Sequence, residues 1–588
     1  MHESLAAWLL ALAAEEPGRT AVHMLRPHSK GLFRDQPVTL GEWARGAAAC
    51  AAVLKGHGLR RGDRVLLCLP TGPAFLDAFL GAQAIGVIPV PLPSLEGFAR
   101  PAAFVNRLAS VVQDAAPSAV VADRRTAGHL RQSGLLDQKL PLIEPGQPAA
   151  ALPLDPRPAT GDETALIQYT SGSTGTPRGV VITAGNLLAN VAAMGKALQL
   201  TRQDRVVSWL PLYHDMGLIG GLLAPLAHGA ACWLLSPLEF MLRPASWMQA
   251  VSEARATLTV APNFAYGLVA RKVAEEDLRG LDLSSLRAAI NGAEPVDPDT
   301  AEAFCKRFAS LGFSPSSYFP VYGLAESTLS VAFPPLGRGL KTDFVRRADL
   351  ARGEAVPAPP GPGVMRIVSV GGAILGHQIS IADAVDHTPL ADRRLGEICV
   401  HGPSTSPWYF DKHDPVRTRR LSLRTGDVGY LADGELYVVD RLKDLVIVAG
   451  RCYSPSDIER AAESVEGVRA GRSVAFGVAD GERGTESLVL VAEVHPRTRV
   501  ELQQLADQLR ATIAEQIGLA PDGVLLLKPG TLARTSSGKL MRRDARDRYQ
   551  TGGLAGEEAI KPMLPVRLMG AALGVILRFA ARRRAAQR

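Results

Sequence analysis

The chain's densest run of groups able to hold a polyanion is Thr170-Ser171-Gly172-Ser173-Thr174-Gly175-Thr176-Pro177-Arg178. The hydroxyls of Thr170, Ser171, Ser173 and Thr174 can donate to phosphate oxygens. Gly172 and Gly175 lack a Cβ and let the backbone approach a ligand closely. Arg178 adds a positive charge that can pair with phosphate. A Walker-type loop is excluded, because no Gly-Lys-Ser/Thr stands at the required spacing. A flexible Ser/Gly linker would share this composition. The apolar run Ala165-Leu166-Ile167-Gln168-Tyr169 leads straight into the loop, however, and predicts a strand rather than a linker.

Such a loop needs a rigid frame, and the surrounding pattern supplies one. Arg64-Val65-Leu66-Leu67-Cys68-Leu69, Val87-Ile88-Pro89-Val90, Ala119-Val120-Val121-Ala122 and Leu258-Thr259-Val260-Ala261 are short apolar runs between helical patterns. Alternation of that kind predicts parallel strands with helical crossovers. Residues 147–159 are rich in Pro and Ala and read as a loop. Residues 334–362 read as irregular and end in Ala355-Val356-Pro357-Ala358-Pro359-Pro360-Gly361-Pro362, too proline-rich for a helix or a central strand. Strands of a new subdomain are expected at Arg366-Ile367-Val368-Ser369-Val370 and Glu397-Ile398-Cys399-Val400. Past residue 440 the pattern changes to a short strand, a helix over 455–465, further strands and a helix near 500–516. That is enough for a small α+β domain.

With 588 residues the chain is too long for one core, and its composition, 47% hydrophobic and 21% charged, is that of a globular protein. A net charge of +7 is modest for this size and points to no nucleic-acid partner. Cys50, Cys68, Cys232, Cys305, Cys399 and Cys452 are scattered and form no Cys-x-x-Cys pair, which argues against a zinc site or a disulfide framework and suits a reducing cytoplasm. Residues 1–14 read as an amphipathic helix, since Glu3 stands where a secretory signal would be basic. Residues 568–577 are apolar and are followed by Arg578, Arg582, Arg583, Arg584 and Arg588. The run is shorter than the ~20 residues that span a bilayer. It could lie on an anionic membrane surface, or pack on the protein.

The phosphate loop resembles the signature of the adenylate-forming superfamily, which includes acyl-CoA synthetases, peptide-synthetase adenylation domains and fatty acyl-AMP ligases. Most members carry Lys where Arg178 stands. The resemblance continues in order from Thr39 to Arg543. Asn291-Gly292-Ala293-Glu294-Pro295 resembles the family's adenine-contacting segment. Val321-Tyr322-Gly323-Leu324-Ala325-Glu326-Ser327 resembles the next; the match implies Tyr322 stacked on adenine and Glu326 on Mg²⁺. Arg424-Thr425-Gly426-Asp427 resembles the ribose motif, with Asp427 accepting from ribose hydroxyls. Asp440-Arg441-Leu442-Lys443-Asp444 resembles the hinge between domains, with Lys443 at the pivot and Arg441 near the nucleotide. Thr535-Ser536-Ser537-Gly538-Lys539-Leu540 resembles the catalytic-lysine motif. Lys539 would then stabilise charge on the α-phosphate and the attacking carboxylate. Alone, Glu326 reads as a helix N-terminal charge, Asp427 as a turn residue and Lys539 as a solvated lysine; their order singles them out.

Three further segments resemble the fatty acyl-AMP ligases in particular: Trp209-Leu210-Pro211-Leu212-Tyr213-His214-Asp215-Met216-Gly217-Leu218, Ala261-Pro262-Asn263-Phe264-Ala265-Tyr266 and Arg469-Ala470-Gly471. The Phe-Asp-x-Ser of amino-acid adenylating domains is absent. The match puts His214, Asp215 and Phe264 at the acyl pocket, where His214 gates or orients substrate; a core histidine is the plainer alternative. Residues 334–366 lie where these ligases carry an insertion thought to restrain the small domain and disfavour thioester formation with coenzyme A. An ordinary surface loop is the alternative. Two departures bear on that second half-reaction: Cys452 where the ligases usually show Asn, and Asp440 where they often show Gly and many acyl-CoA synthetases show Asp.

The resemblance therefore implies an α/β protein. A large multi-subdomain N-terminal adenylate-forming domain (1–440) would be followed by a smaller, mobile α+β C-terminal domain (441–560) and a basic apolar tail (561–588). The implied reaction joins a fatty acid to AMP with ATP and Mg²⁺. No Asp-Ser-Leu carrier motif is present, so the acyl group would pass to a separate acyl carrier protein. A fatty acyl-CoA synthetase and a non-catalytic membrane-associated binding protein are the alternatives. The expected location is cytoplasmic, with peripheral membrane contact through the tail.

Overall fold

The structure is a computed structural model that describes residues 4–29, 32–97, 101–136, 140–146, 154, 160–170, 177–406, 408–410, 422–480, 485–495, 502–534, 540–554 and 559–560. Ser171, Gly172, Ser173, Thr174, Gly175, Lys539 and the tail 561–588 lie outside the described residues.

The apolar runs become parallel strands because both their faces are covered. Val65, Leu66, Leu67 and Cys68 are fully buried. They form the interior of a four-stranded parallel sheet in the order Ile88–Pro91, Arg64–Cys68, Ala119–Ala122, Leu142–Ile143. A second, seven-stranded sheet runs Tyr318–Pro320, Ala288–Gly292, Leu258–Pro262, Arg205–Ser208, Ala231–Leu234, Thr20–Ser29, Leu32–Thr39. It is parallel throughout except at its last pair. The first helix, Leu5–Glu15, starts at Ser4, whose hydroxyl accepts from the Ala7 N–H, and buries Leu5, Leu9 and Leu12 in the same core. Leu40–Gly56 starts with a capping box between Thr39 and Glu42. It buries Trp43, Ala47, Ala51 and Leu54, one stripe at helical spacing.

Beyond these sheets, an antiparallel one is built from Gln378–Ala382, Gly396–His401, Leu423–Ala432 and Glu435–Arg441. Its last two strands are joined by Asp433-Gly434 at φ 53° and 74°. Positive φ at both central residues is what a tight hairpin requires, and Asp-Gly supplies it.

After Arg441 a second core begins. Pro455–Glu463 and Leu502–Ile517 pack on the sheet of Val468–Asp480, Thr485–Val494, Gly523–Leu527 and Ala559–Ile560. Ile458, Leu488, Leu490, Leu505, Leu509 and Ile513 are its fully buried centre, separate from the large core. The architecture is thus a large α/β part followed by a smaller α+β part. No described helix is long and apolar enough to cross a membrane.

Residues 334–362 differ from the irregular stretch expected of them. Thr342–Arg346 pairs antiparallel with Val364–Val368, and the helix Arg347–Leu350 lies between. Five residue pairs in register are enough to order both ends, and the proline run then only has to cross between them. The surrounding Pro and Gly hid a short strand-forming run, Thr342-Asp343-Phe344-Val345.

Candidate active site

Neighbouring parallel strands deliver two of the sequence-predicted segments to one place. Ala288–Gly292 ends at Gly292-Ala293-Glu294, and Tyr318–Pro320 leads into Val321-Tyr322. The strands are hydrogen-bonded neighbours, and the Val321 N–H donates to Asn291 O at 2.8 Å. The carboxyl ends of such strands are where open α/β sheets bind ligands. Gly323 is required by a close approach: a Cβ there would lie 2.0 Å from Leu329 O. Ala293 takes φ 71°, in the left-handed region. The Glu294 carboxylate accepts from the Phe264 N–H at 2.6 Å. It therefore satisfies one N–H of the first turn of the helix Asn263–Lys272, whose N-cap Pro262 offers no side-chain acceptor.

Tyr322, Asp427 and Arg441 form one chain of contacts. The Tyr322 hydroxyl donates to Asp427 Oδ2 at 2.7 Å, and Arg441 Nε stands 3.2 Å from Asp427 Oδ1. Asp427 and Arg441 face each other across the strands Leu423–Ala432 and Glu435–Arg441. Burial, reinforced by the charge on Asp427, pushes the Tyr322 phenol well above its ordinary value, so it stays a donor.

Glu326, Tyr409 and Arg178 form a second chain. The Tyr409 hydroxyl donates to Glu326 Oε1 at 2.7 Å, and the Arg178 guanidinium carbon lies 5.5 Å from the centre of the Tyr409 ring. Arg178 is also the strand partner of Thr170, so both ends of the glycine-rich segment are held in register. Sequence reasoning missed Tyr409. The aromatic run Trp408-Tyr409-Phe410 was its only signal, and nothing local ties such a run to a carboxylate.

His214 and Asp215 stand where the chain enters a π-helix, Met216–Leu223, a wide helical turn that recurs at functional sites. His214 Nδ1 is 2.6 Å from Asp215 Oδ1, which also accepts from the Met216 N–H at 2.6 Å. Phe264 meets the aromatic cluster edge-on, its ring 6.2 Å from that of Trp209, which stacks on Phe240.

Both polar chains, His214, Asp215 and Phe264 border one cleft of about 1850 Å³. Its lining includes an apolar set, Met194, Leu198, Val260, Ile290, Leu329 and Phe333. The smaller part adds Lys443, Arg534 and Leu540. Arg534 and Leu540, an isolated antiparallel pair, flank the segment that holds Lys539. Desolvation pulls the Lys443 ammonium below the usual lysine range. The structure thus brings Thr170, Arg178, His214, Asp215, Phe264, Glu294, Ala293, Tyr322, Gly323, Glu326, Asp427, Arg441 and Lys443 to one cleft. Gly292 lies just behind it, where a Cβ would meet Val321 Cγ2 at 2.7 Å.

The chain matches the AMP-binding enzyme family over residues 10–410. It belongs to that family. Among its relatives, the long-chain-fatty-acid–AMP ligase FadD26 of Mycobacterium marinum is 34% identical over 531 residues, covering 84% of this chain and 88% of the relative. The medium-chain-fatty-acid–[acyl-carrier-protein] ligase JamA of Moorena producens is 33% identical over 521 residues, covering 85% and 88%. A solved structure from a study of fatty acyl-adenylate ligases of E. coli and L. pneumophila superposes with a TM-score of 0.83 at 32% identity, over 94% of this chain and 99% of that one. Within the AMP-binding enzymes the chain stands with the fatty acyl-AMP ligases, and it is a ligase.

Proposed function

We propose that this ligase activates a fatty acid as its acyl-adenylate and hands the acyl group to a separate acyl carrier protein. The observation that carries the first step is the cleft itself. Two tied polar chains, Tyr322–Asp427–Arg441 and Glu326–Tyr409–Arg178, line it together with an apolar set of side chains. ATP and a fatty acid together need those two environments side by side.

In this reading the Tyr322 ring receives the adenine and Asp427 the ribose hydroxyls. An ionised carboxylate accepts at about four lone-pair sites, so Asp427 can serve its protein partners and the ribose together. Arg178 and the hydroxyls of Thr170, Ser171, Ser173 and Thr174 hold the phosphates. Gly172, Gly175, Gly292, Ala293 and Gly323 keep the backbone close to the nucleotide. The chain fits a magnesium ion in the way that ion prefers. Glu326 has one oxygen on Tyr409, and no cluster of three or more acidic, His or Cys ligands occurs among the described residues. Mg²⁺ is ordinarily held by one or two carboxylates, substrate phosphates and water rather than by an all-protein cage. Bound there it would neutralise charge on the triphosphate. The fatty acid's carboxylate then attacks the α-phosphorus. A carboxyl oxygen–phosphorus bond forms, the bond to the bridging oxygen breaks, and pyrophosphate leaves with its electron pair. Lys539 stabilises the charge on the α-phosphoryl oxygens, and the positioning of both reactants supplies the remaining catalysis.

Contacts of residues 334–366 support the second step. Arg347 forks onto the buried Asp457 carboxylate at 2.7 and 3.1 Å, and the Cys452 N–H donates to Ala351 O at 3.0 Å. Both tie this segment to the smaller part, as expected of an insertion that restrains it. The Cys452 contact uses the backbone, so Cys in place of Asn leaves it intact. Asp440 accepts from Ser454 Oγ at 2.6 Å and from the Ser456 N–H at 3.1 Å. It thereby fastens the start of the helix Pro455–Glu463 to the hinge, which Gly could not do. The name of JamA supports the carrier protein as acceptor.

The test is incubation of the purified chain with Mg-ATP and a fatty-acid series, with coenzyme A or a phosphopantetheinylated carrier protein, and resolution of products by mass. Acyl-AMP that persists with coenzyme A and is consumed by the carrier supports the reading. Rapid acyl-CoA formation makes the chain a synthetase instead. Absence of ATP–pyrophosphate exchange with every acid removes the catalytic reading.

A further inference from the structure

Glu326 reaches the cleft on an unfavourable stretch of backbone. It lies in the short helix Ala325–Ser327, which the chain leaves through Thr328 at φ 67° and ψ −56°. Across Thr328 the Leu329 N–H donates to Ser327 O at 2.7 Å, which closes a three-residue γ-turn of the rare, strained hand. Thr is β-branched, and at positive φ such a residue is a genuine outlier. Strain of this kind persists only where the surroundings over-determine it.

One side chain does most of that work. Asn190 lies on the helix Ala184–Ala197 and is fully buried. Its amide nitrogen donates to Ser330 O at 2.9 Å and Ser404 Oγ at 2.9 Å, with Ser327 O further off at 3.3 Å. Its amide oxygen accepts from the Ser330 N–H at 3.1 Å. Asn190 thus grips the chain on both sides of the strained residue. Ser404 extends the grip: its carbonyl accepts from Thr328 Oγ1 at 2.7 Å, and its hydroxyl bonds the buried His377. One helical turn before Asn190, Asn186 donates to Pro403 O at 2.7 Å and Thr405 O at 3.2 Å, fixing the same strap. Further along that strap the Ser406 N–H donates to Glu326 O at 2.7 Å.

Neither Asn190, Ser404 nor His377 borders the cleft. Every polar atom of the Asn190 amide is paired in this network, and another arrangement of the turn would leave that buried amide unpaired. The turn so held is the one that aims Glu326.

We propose that Asn190 is a positioning residue for Glu326, setting the carboxylate where it meets the nucleotide-bound metal ion. The helix that carries it follows directly from the strand Arg178–Thr183, so phosphate loop and metal-facing carboxylate are fixed to one frame. The proposal rests on the reading of Glu326 as the metal-holding residue.

The test is equilibrium binding of Mn²⁺, a paramagnetic stand-in for Mg²⁺, to the full chain with a non-hydrolysable ATP analogue, read by electron paramagnetic resonance. Asn190→Ala is expected to weaken Mn²⁺ binding about five- to tenfold, the worth of one such hydrogen bond, with metal-free affinity for the analogue unchanged. Combined with Glu326→Gln it should add nothing beyond Glu326→Gln alone, because both act through one carboxylate. Unchanged Mn²⁺ affinity in Asn190→Ala, beside a clear loss in Glu326→Gln, overturns the proposal. So does an equal loss of metal-free nucleotide affinity, the mark of a merely structural role. If Glu326→Gln itself leaves Mn²⁺ affinity intact, the reading of Glu326 fails instead. Should Asn190→Ala not fold, Ser404→Ala is judged by the same outcomes.

Discussion

Tyr409 couples a cation to a carboxylate without being either. Its hydroxyl fixes one oxygen of Glu326, and its ring lies under Arg178. Tyr409→Phe keeps the ring and removes the hydrogen bond. It should lower kcat/KM for ATP about tenfold, near 1.4 kcal/mol, as expected for a bond to a charged group. Tyr409→Ala also removes the ring and should cost about a further 0.5–1 kcal/mol. ATP–pyrophosphate exchange measures both, and equal losses in the two variants would mean that the ring does nothing. Most of these partners were not legible from residue types. Glu326 and Asp427 stood out only through the order of the motifs. Glu294 was legible by position but not by what it holds, since its contact with the Phe264 N–H depends on a strand and a helix meeting in space.

At the scale of elements, the π-helix Met216–Leu223 brings Met216 and Gly220 to the apolar lining of the cleft. A Cβ on Gly220 would sit 3.0 Å from the tip of Leu329. Gly220→Leu should therefore shorten the longest fatty acid accepted, at about 0.8 kcal/mol for each methylene that loses its place. Product mass across a fatty-acid series reads this directly, and an unmoved chain-length profile would put the acyl chain elsewhere.

The helix Pro73–Ala84 makes a different prediction. Asp77 on it faces the helix Leu40–Gly56, where a Cβ on Gly46 would be 2.3 Å from Asp77 Oδ1. Burial pushes the Asp77 carboxyl up to about 7. A carboxyl whose folded pKa is raised costs stability once the unfolded chain ionises. The cost begins above the unfolded value, grows as pH rises and is complete above the folded one. Asp77→Asn should thus stabilise the protein by about 2–4 kcal/mol at about pH 8 and hardly at all near pH 4. Thermal unfolding at the two pH values checks it, and an equal effect at both would refute the buried charge.

For the whole molecule, the question is how the smaller part is tethered. Arg347–Asp457 is joined by a second ion pair, Arg460 to Asp297 at 2.8 Å. Both run from the helix Pro455–Glu463 to the larger part. Arg347→Ala leaves the buried Asp457 with only its longer contact to Arg460 at 3.5 Å, and breaking a buried pair costs up to about 3–5 kcal/mol. If this clamp disfavours coenzyme A, Arg347→Ala should raise acyl-CoA yield while acyl-AMP formation is kept. Product mass gives both, and no change in acyl-CoA yield would separate the clamp from the choice of acceptor.

The sequence by itself determined the parallel apolar strands, the strand that leads into the glycine-rich loop and the order of the motifs. Each depends on spacing within a few residues or on motif order, and both are written along the chain. The pairing of Thr342–Arg346 with Val364–Val368, the Tyr409 bridge and the Asn190 grip on the Glu326 turn were decided only by tertiary structure. Those contacts join residues tens to hundreds of positions apart. A buried amide or phenol has no local signature, because its role is set by which unpaired group the fold brings opposite it.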